Sequence, residues 1–425
     1  MTMQPLEPPK LADDCFALPP GIAWTPVDEA LARLRTILHP VVGEERVSIA
    51  DALGRVLAQD AIAARSNPPA ANAAVDGYGF AHAATGEGAQ NLPLVAGRAA
   101  AGEPYRGAVP RGHAIRILTG ALLPEGVDTV VLEEDCATDG ARIAFNGPVK
   151  PRANTRKAGE DVVAGALALP AGHALRPPDL ALLAALGIGE IVARRRLRVG
   201  VLSTGEEVQA DIGREPAGPQ IIYDANRPML LAMMRRWGYE PVDLGHVGDD
   251  RAALRRRLDE GAREADVIFT SGGASAGDED HVSALLKETG ALSSWRIAIK
   301  PGRPLALALW EGAPVFGLPG NPVAAFVCTL IFGRPALAAL AGAGWLEPEG
   351  FHAPAAFTKR KKPGRREYLR ARLDGDGRVE AFASEGSGRI SGLAWARGLV
   401  EIGDGAQTIS PGDPVRYIPY TAFGL

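Results

Sequence analysis

Five short loops between Ser203 and Pro322 of this 425-residue chain hold the side chains best suited to chemistry. They are Ser203-Thr204-Gly205-Glu206-Glu207, Gly248-Asp249-Asp250, the run from Ser271 to Asp280, Lys300-Pro301-Gly302-Arg303-Pro304 and Leu318-Pro319-Gly320-Asn321-Pro322. Ser271, Gly272 and Gly273 offer bare backbone N–H groups ahead of a helix start, which suits a phosphate. Lys300 and Arg303 supply positive charge for an oxyanion. Glu207, Asp249, Asp278 and Asp280 are hard oxygen donors of the kind that hold Mg2+ against a substrate phosphate. Each motif alone has an ordinary explanation, since Gly-Gly after a strand is commonly a turn and Asp after a strand a helix cap. Complementary charges on several strand ends together point to a functional cleft.

The elements that must position these loops follow from periodicity. Arg198–Thr204, Glu240–Val247 and Asp266–Thr270 read as buried strands, with further strands near 295–299, 305–309 and 314–317. Helices are expected at Asn226–Trp237, Asp250–Glu264, 281–289 and from Pro322. Alternating strands and helices predict a doubly wound, largely parallel α/β sheet over 197–342, with ligands outside the carboxyl ends of its strands. Residues 63–159 and 343–425 carry short alternating runs broken by Gly and Pro, and predict two small β-rich domains. A helix over 26–38 with Thr25 as cap, a short helix near Ser48 and a helix over Pro178–Leu186 complete the pattern.

Composition bounds the function. Gly (51) and Pro (34) make a fifth of the chain, yet 46% is hydrophobic, so the chain folds. Lys+Arg (46) and Asp+Glu (50) nearly balance, leaving no bulk field for nucleic acid or an anionic membrane. Cys15, Cys136 and Cys328 are scattered, which fits a reducing cytoplasm. The apolar stretch Val323–Phe332 falls short of a membrane span and reads as a buried helix. The N-terminal twenty residues lack the pattern of a secretory signal.

The Ser271–Asp280 loop, Ile299-Lys-Pro-Gly-Arg-Pro304 and Gly317-Leu-Pro-Gly-Asn-Pro322 resemble the signature loops of the MoeA/gephyrin E-domain family, the molybdopterin molybdenumtransferases. Upstream blocks match in family order: Pro69 to Tyr78, Arg116 to Gly120 with Pro124-Glu-Gly126, Arg156 to Asp161, Ser203 to Glu207 and Ile222 to Asn226. The resemblance implies insertion of molybdate into adenylylated molybdopterin (molybdopterin-AMP) with release of AMP, aided by Mg2+. It implies a cytoplasmic homodimer of four-domain subunits, with residues 20–62 and 160–196 forming a linker and dimerisation domain and 197–342 binding molybdopterin. Molybdopterin adenylyltransferase and acceptor molybdoenzymes are the expected partners, and neither nucleic acid nor membrane is.

Carried over by position, the catalytic set is Asp76, Thr119, Asp161, Glu207, Asp249 and Asp280, with Glu207, Asp249 and Asp280 as the metal set. The substrate loops contribute Ser271, Gly272, Gly273, Ser275, Asp278, Lys300, Arg303, Pro319, Asn321 and Pro322. The molybdate side consists of Lys300, Arg303, Arg370 and Ser387. A dianion approaching an anionic phosphate ester needs such cations. Arg370 lies in a run with eight basic residues from Lys359 to Arg372, which also reads as a solvated hairpin face or a nucleic-acid patch. Its place ahead of Ser387 favours an anion site.

The chain departs from the family at Ala71 and Ala73, where an aspartate and a hydroxyl are usual. These changes motivate a second reading, a non-catalytic scaffold that carries cofactor to a molybdoenzyme. Arg296 and Arg303 replace common lysines and keep the charge, and His281 stands where an aromatic is frequent. His246 and His281 lie near the strand-end loops, and Tyr78 is suited either to stacking on a flat ring or to packing in the β domain.

Overall fold

A computed structural model describes residues 24–216, 218–272, 281–288, 293–302 and 304–425. Gly273, Ser275, Asp278, Asp280 and Arg303 therefore lie outside the described residues. The chain divides into two compact units, one from the segment up to Gly43 together with Arg194–Leu425, the other from Glu44–Ala193.

In the first unit a six-stranded sheet runs in the order Glu240–Val247, Arg198–Thr204, Val267–Ser271, Ala313–Leu318, Pro304–Trp310 and Ser293–Arg296. The first four strands are parallel, as expected, and the last two are antiparallel. Alternate residues of the central strand serve opposite faces, as the two-residue period of a strand requires. Phe269 packs with Val199, Met233, Phe316 and Phe332, while Ile268 packs with Leu244, Leu258, Leu285 and Val315. Stacked Phe269 and Phe316, with ring centroids 4.9 Å apart, anchor the first of these cores.

The helix Val27–Ile37 places Val27, Ala30 and Leu34 in that same core. It thus belongs with the α/β domain, whereas the sequence grouped it with residues 44–62. Pro26, rather than Thr25, precedes its first turn.

The helix beginning at Pro322 also differs from expectation. It runs on through a π-helical turn at Thr329–Gly333 to Leu340. Its 19 residues have the length and composition of a membrane span, but 94% of that surface is buried inside the protein, so it is a core helix. The Thr329 hydroxyl satisfies the Ala325 carbonyl at 2.7 Å, and Gly333 lies under Phe269, where a Cβ would sit 3.0 Å from the ring.

A second sheet of this unit is built from residues 299–419. It runs Ile299–Lys300, Arg366–Leu373, Gly398–Ile402, Pro414–Pro419 and Phe351–Pro354, with Val379–Ala381 on the far side of Arg366–Leu373. Lys300 corrects an expectation here. It does not end a strand of the α/β sheet but pairs opposite Glu367 on the edge of this second sheet.

The unit Glu44–Ala193 holds another six-stranded sheet. Its order is Thr129–Leu132, Gly77–Phe80, Ala114–Ile117, Gly88–Ala99, Arg142–Gly147 and Ala137–Thr138. A separate small core joins Val47 and Leu57 with Leu169, Leu175, Leu183 and Ile191. Its helix Pro177–Ala185 starts with the Asp179 carboxylate accepting from the Arg176 backbone N–H at 2.8 Å.

Candidate active site

In the unit Glu44–Ala193, Asp76 precedes a central strand that admits no side chain at its first residue. A Cβ on Gly77 would lie 1.9 Å from the Val131 carbonyl oxygen. This crowding fixes where the Asp76 carboxylate emerges. Its Oδ1 accepts from the Thr119 hydroxyl at 2.6 Å and the Thr119 N–H at 2.7 Å. Those two bonds, the hydroxyl's first, hold the Asp76 carboxyl below the usual aspartate value. The two sequence-predicted residues thus form one hydrogen-bonded pair, with Thr119 donating to the ionised Asp76 carboxylate. Tyr78 is buried in the sheet core with the Arg116 guanidinium 5.1 Å above its ring, so it packs rather than waits for a ligand.

Asp161 accepts from Asn67 Nδ2 at 2.9 Å. With Pro68, Arg156 and Glu160 they line an open hollow of about 470 Å³. The Ala73 departure has a physical setting. Ala73 is fully buried among Ala99, Ile117, Ala121 and Val130, where a hydroxyl would need a partner. Ala71 is exposed.

In the α/β domain, Ser203, Ser271 and Leu318 sit side by side at the carboxyl ends of neighbouring strands. Two residues outside the expected set tie these ends together. Asp224 is buried and accepts from the Ser203 hydroxyl at 2.5 Å and from Arg227 Nε at 3.1 Å. Asn226, also buried, donates from Nδ2 to the Ser271 hydroxyl at 2.7 Å and to the Gly320 carbonyl at 2.6 Å. The signal in the sequence was a polar Asp-Ala-Asn at a helix start, which reads most simply as capping. Gly272 has φ +96°, and a Cβ there would press on the Thr204 carbonyl at 2.8 Å and its hydroxyl at 2.9 Å. Glycine alone lets the backbone pass this close. Asn321 accepts the first helical bond from Ala325 N–H at 2.9 Å, and Pro322 opens the helix behind Pro319 and Gly320.

The acidic loops are only partly assembled. Asp249 and Glu206 bond reciprocally, the Asp249 N–H to Glu206 Oε1 at 2.9 Å and the Glu206 N–H to Asp249 Oδ2 at 3.4 Å. Glu207 folds back over Gly205 and occupies the space a side chain there would need. The His246 ring bonds the Gly205 carbonyl at 2.8 Å, which fixes the same turn. Among the described residues no group of three His, Cys, Asp or Glu side chains is placed to hold a metal.

The oxyanion side is more compact. Lys300 Nζ lies 2.6 Å from Glu385 and 3.4 Å from Glu367, and Lys359 Nζ lies 2.8 Å from Glu367 and also pairs with Glu385. Arg370 is buried, and its guanidinium donates to the carbonyls of Arg389 at 2.5 Å, Gly386 at 3.2 Å and Ser384. Expected to meet molybdate directly, Arg370 here holds the backbone of the loop that carries Ser387. That loop docks on the α/β domain through the Ser387 carbonyl, which accepts from Val323 N–H at 3.1 Å. Lys359, Glu367 and Glu385 were not singled out by sequence. They gather only when the second sheet folds against Lys300.

Known proteins are similar to this chain over most of its length. The MoeA N-terminal region (domain I and II) matches residues 25–187, a probable molybdopterin binding domain matches 200–339, and the MoeA C-terminal region (domain IV) matches 352–420. A molybdopterin molybdenumtransferase of Haemophilus influenzae is 34% identical over 401 residues, spanning 93% of this chain and 98% of that protein. The chain belongs to the MoeA family. Molybdopterin molybdenumtransferase 2 of Mycobacterium tuberculosis is 35% identical over 396 residues, covering 87% of this chain and 93% of its own length. The crystal structure of the molybdopterin biosynthesis MoeA protein from Pyrococcus horikoshii OT3 superposes with a TM-score of 0.79 at 28% identity, covering 94% of this chain and all of that one. The MoeA frame accounts for the α/β domain flanked by β-rich segments.

Proposed function

We propose that this chain is a molybdopterin molybdenumtransferase, which takes molybdate and molybdopterin-AMP to molybdenum cofactor and AMP. The observation that carries the reading is similarity over nearly the whole chain to relatives of that name.

The chain's own residues supply binding and charge. Ser271 and Gly272 stand at a strand end, the position where open α/β sheets bind ligands, and Asn226 holds the Ser271 hydroxyl and the Gly320 carbonyl together there. Lys300 offsets repulsion between molybdate and the anionic substrate. Asp76, kept ionised by Thr119, is an acceptor for a substrate hydroxyl or amine. Mg2+ is part of the reading from resemblance, drawing on Glu207 and Asp249 with Asp280. Glu207 and Asp249 have suitable donor chemistry, but among the described residues no three His, Cys, Asp or Glu side chains are placed to hold a metal. A cytoplasmic homodimer that receives its substrate from molybdopterin adenylyltransferase and passes product to molybdoenzymes completes the proposal.

The scaffold reading rests on Ala71 and Ala73 alone and is not favoured, because full-length relatives carry transferase names. Complementation of a bacterial strain lacking molybdenum insertase separates the two. Restored molybdoenzyme activity is expected. Soluble, folded protein that binds molybdopterin but restores nothing overturns the transferase reading.

A further inference from the structure

Lys300, the cation expected to meet molybdate, is already occupied by a carboxylate of the same chain. Glu385 lies 2.6 Å from Lys300 and also pairs with Lys359. Glu367 is buried beneath them, whereas the Glu385 side chain is 41% exposed. Glu367 and Glu385 offset the charges of Lys300 and Lys359 in the resting state, with the Arg370 guanidinium lining the same cavity. The cavity beside Lys300, lined also by Tyr368, Arg370, Phe382 and Glu385, holds about 10 Å³. That is room for a single water, too little for a tetrahedral oxyanion. The loop backbone on either side of Glu385 is fastened by Arg370 through the carbonyls of Ser384 and Gly386. The side chain is therefore the part freest to leave. Burial pushes the Glu385 carboxyl up, but hydrogen bonds from Lys300 and Lys359 outweigh it and keep the group below the ordinary glutamate value.

We propose that Glu385 is a placeholder for the oxyanion, a specificity-determining residue whose carboxylate covers Lys300 in the empty enzyme and swings to solvent when a dianion takes its place. This rests on the transferase reading only for the identity of the dianion. Exchange of one anion for another keeps Lys300 compensated in both states, and a dianion outcompetes the glutamate where a monoanion has less to gain. Glu367, buried and paired with Lys359, stays behind as the fixed countercharge.

The test is equilibrium dialysis of molybdate alone onto the full chain, comparing wild type, Glu385→Gln and Glu385→Asp at several salt concentrations. Loss of the partly exposed carboxylate that pairs with Lys300 and Lys359 gives Glu385→Gln a Kd about two- to fivefold lower than wild type. Its salt dependence becomes steeper, because the substitution leaves the cluster one charge more positive. Glu385→Asp, which keeps the charge, stays near wild type. Equal or weaker binding by Glu385→Gln, unchanged salt dependence, or no measurable uptake by that variant overturns the proposal. AMP release from molybdopterin-AMP is measured in parallel. Wild-type turnover without the affinity gain refutes the placeholder alone, and the affinity gain without turnover refutes the transferase reading alone.

Discussion

The Nδ2 group of Asn226 bonds the Ser271 hydroxyl at 2.7 Å while also reaching the Gly320 carbonyl at 2.6 Å. One buried amide thus couples two loops that arrive from different strands. Removing it leaves a buried hydroxyl and a carbonyl short of a donor.

Asn226→Ala is therefore expected to lower stability by about 1–2 kcal/mol in urea unfolding. It is also expected to raise the KM for the pterin substrate more than it lowers kcat, since the loops lose their mutual register. A variant with lower stability but unchanged KM would assign Asn226 a purely structural role.

Gly272→Ala should be worse for function than for folding. The backbone φ of +96° and the approach to Thr204 leave no place for a methyl group. Relief of that strain, about 1–3 kcal/mol, requires moving the Ser271 loop. Pterin binding measured by calorimetry should fall at least tenfold, and wild-type affinity would refute the close packing described.

Asp76→Asn tests the hydrogen-bonded pair with Thr119. The asparagine can still accept from the Thr119 hydroxyl but carries no charge. Turnover should drop by an order of magnitude or more, in line with loss of a charged acceptor at a reacting centre, while the melting temperature stays close to wild type because the site is exposed. Full activity in Asp76→Asn would remove it from the catalytic set.

The acid side of the stability profile tests Asp179. Arg176 first, then His173, hold its carboxyl well below the ordinary aspartate range. A depressed folded value means the stabilisation is complete above the unfolded value of about 3.9 and is lost as pH falls below it. The stability gap between wild type and Asp179→Asn should be present at pH 5 and narrow by pH 3. A gap independent of pH across that range would contradict the pairing.

How legible these features were in the sequence varied with how local they are. Arg198–Thr204 and the strand ending at Ser271 followed from their apolar runs, because a central parallel strand buries both faces. The Asp76–Thr119 pair was expected by residue though not by geometry. The strand Ile299–Lys300 was misassigned to the α/β sheet, since two residues carry no periodicity and its partner Arg366–Leu373 lies far along the chain. Lys359, Glu367 and Glu385 were invisible for the same reason. Lys359 and Glu367 lie inside the basic run Lys359–Arg372 and Glu385 lies outside it, and only the second sheet brings all three to Lys300. The Pro322–Leu340 helix was cut short in the sequence reading because Gly333, Arg334 and Pro335 look like a terminus. The π-helical turn at Thr329–Gly333 carries the chain through them.

The central claim is tested most directly by incubating the purified chain with molybdopterin-AMP, molybdate and Mg2+ and following nucleotide release with cofactor formation. AMP appearing in step with molybdenum-loaded pterin is the expected result. Molybdopterin-AMP that binds but remains intact, with neither AMP nor active cofactor formed, would contradict the account.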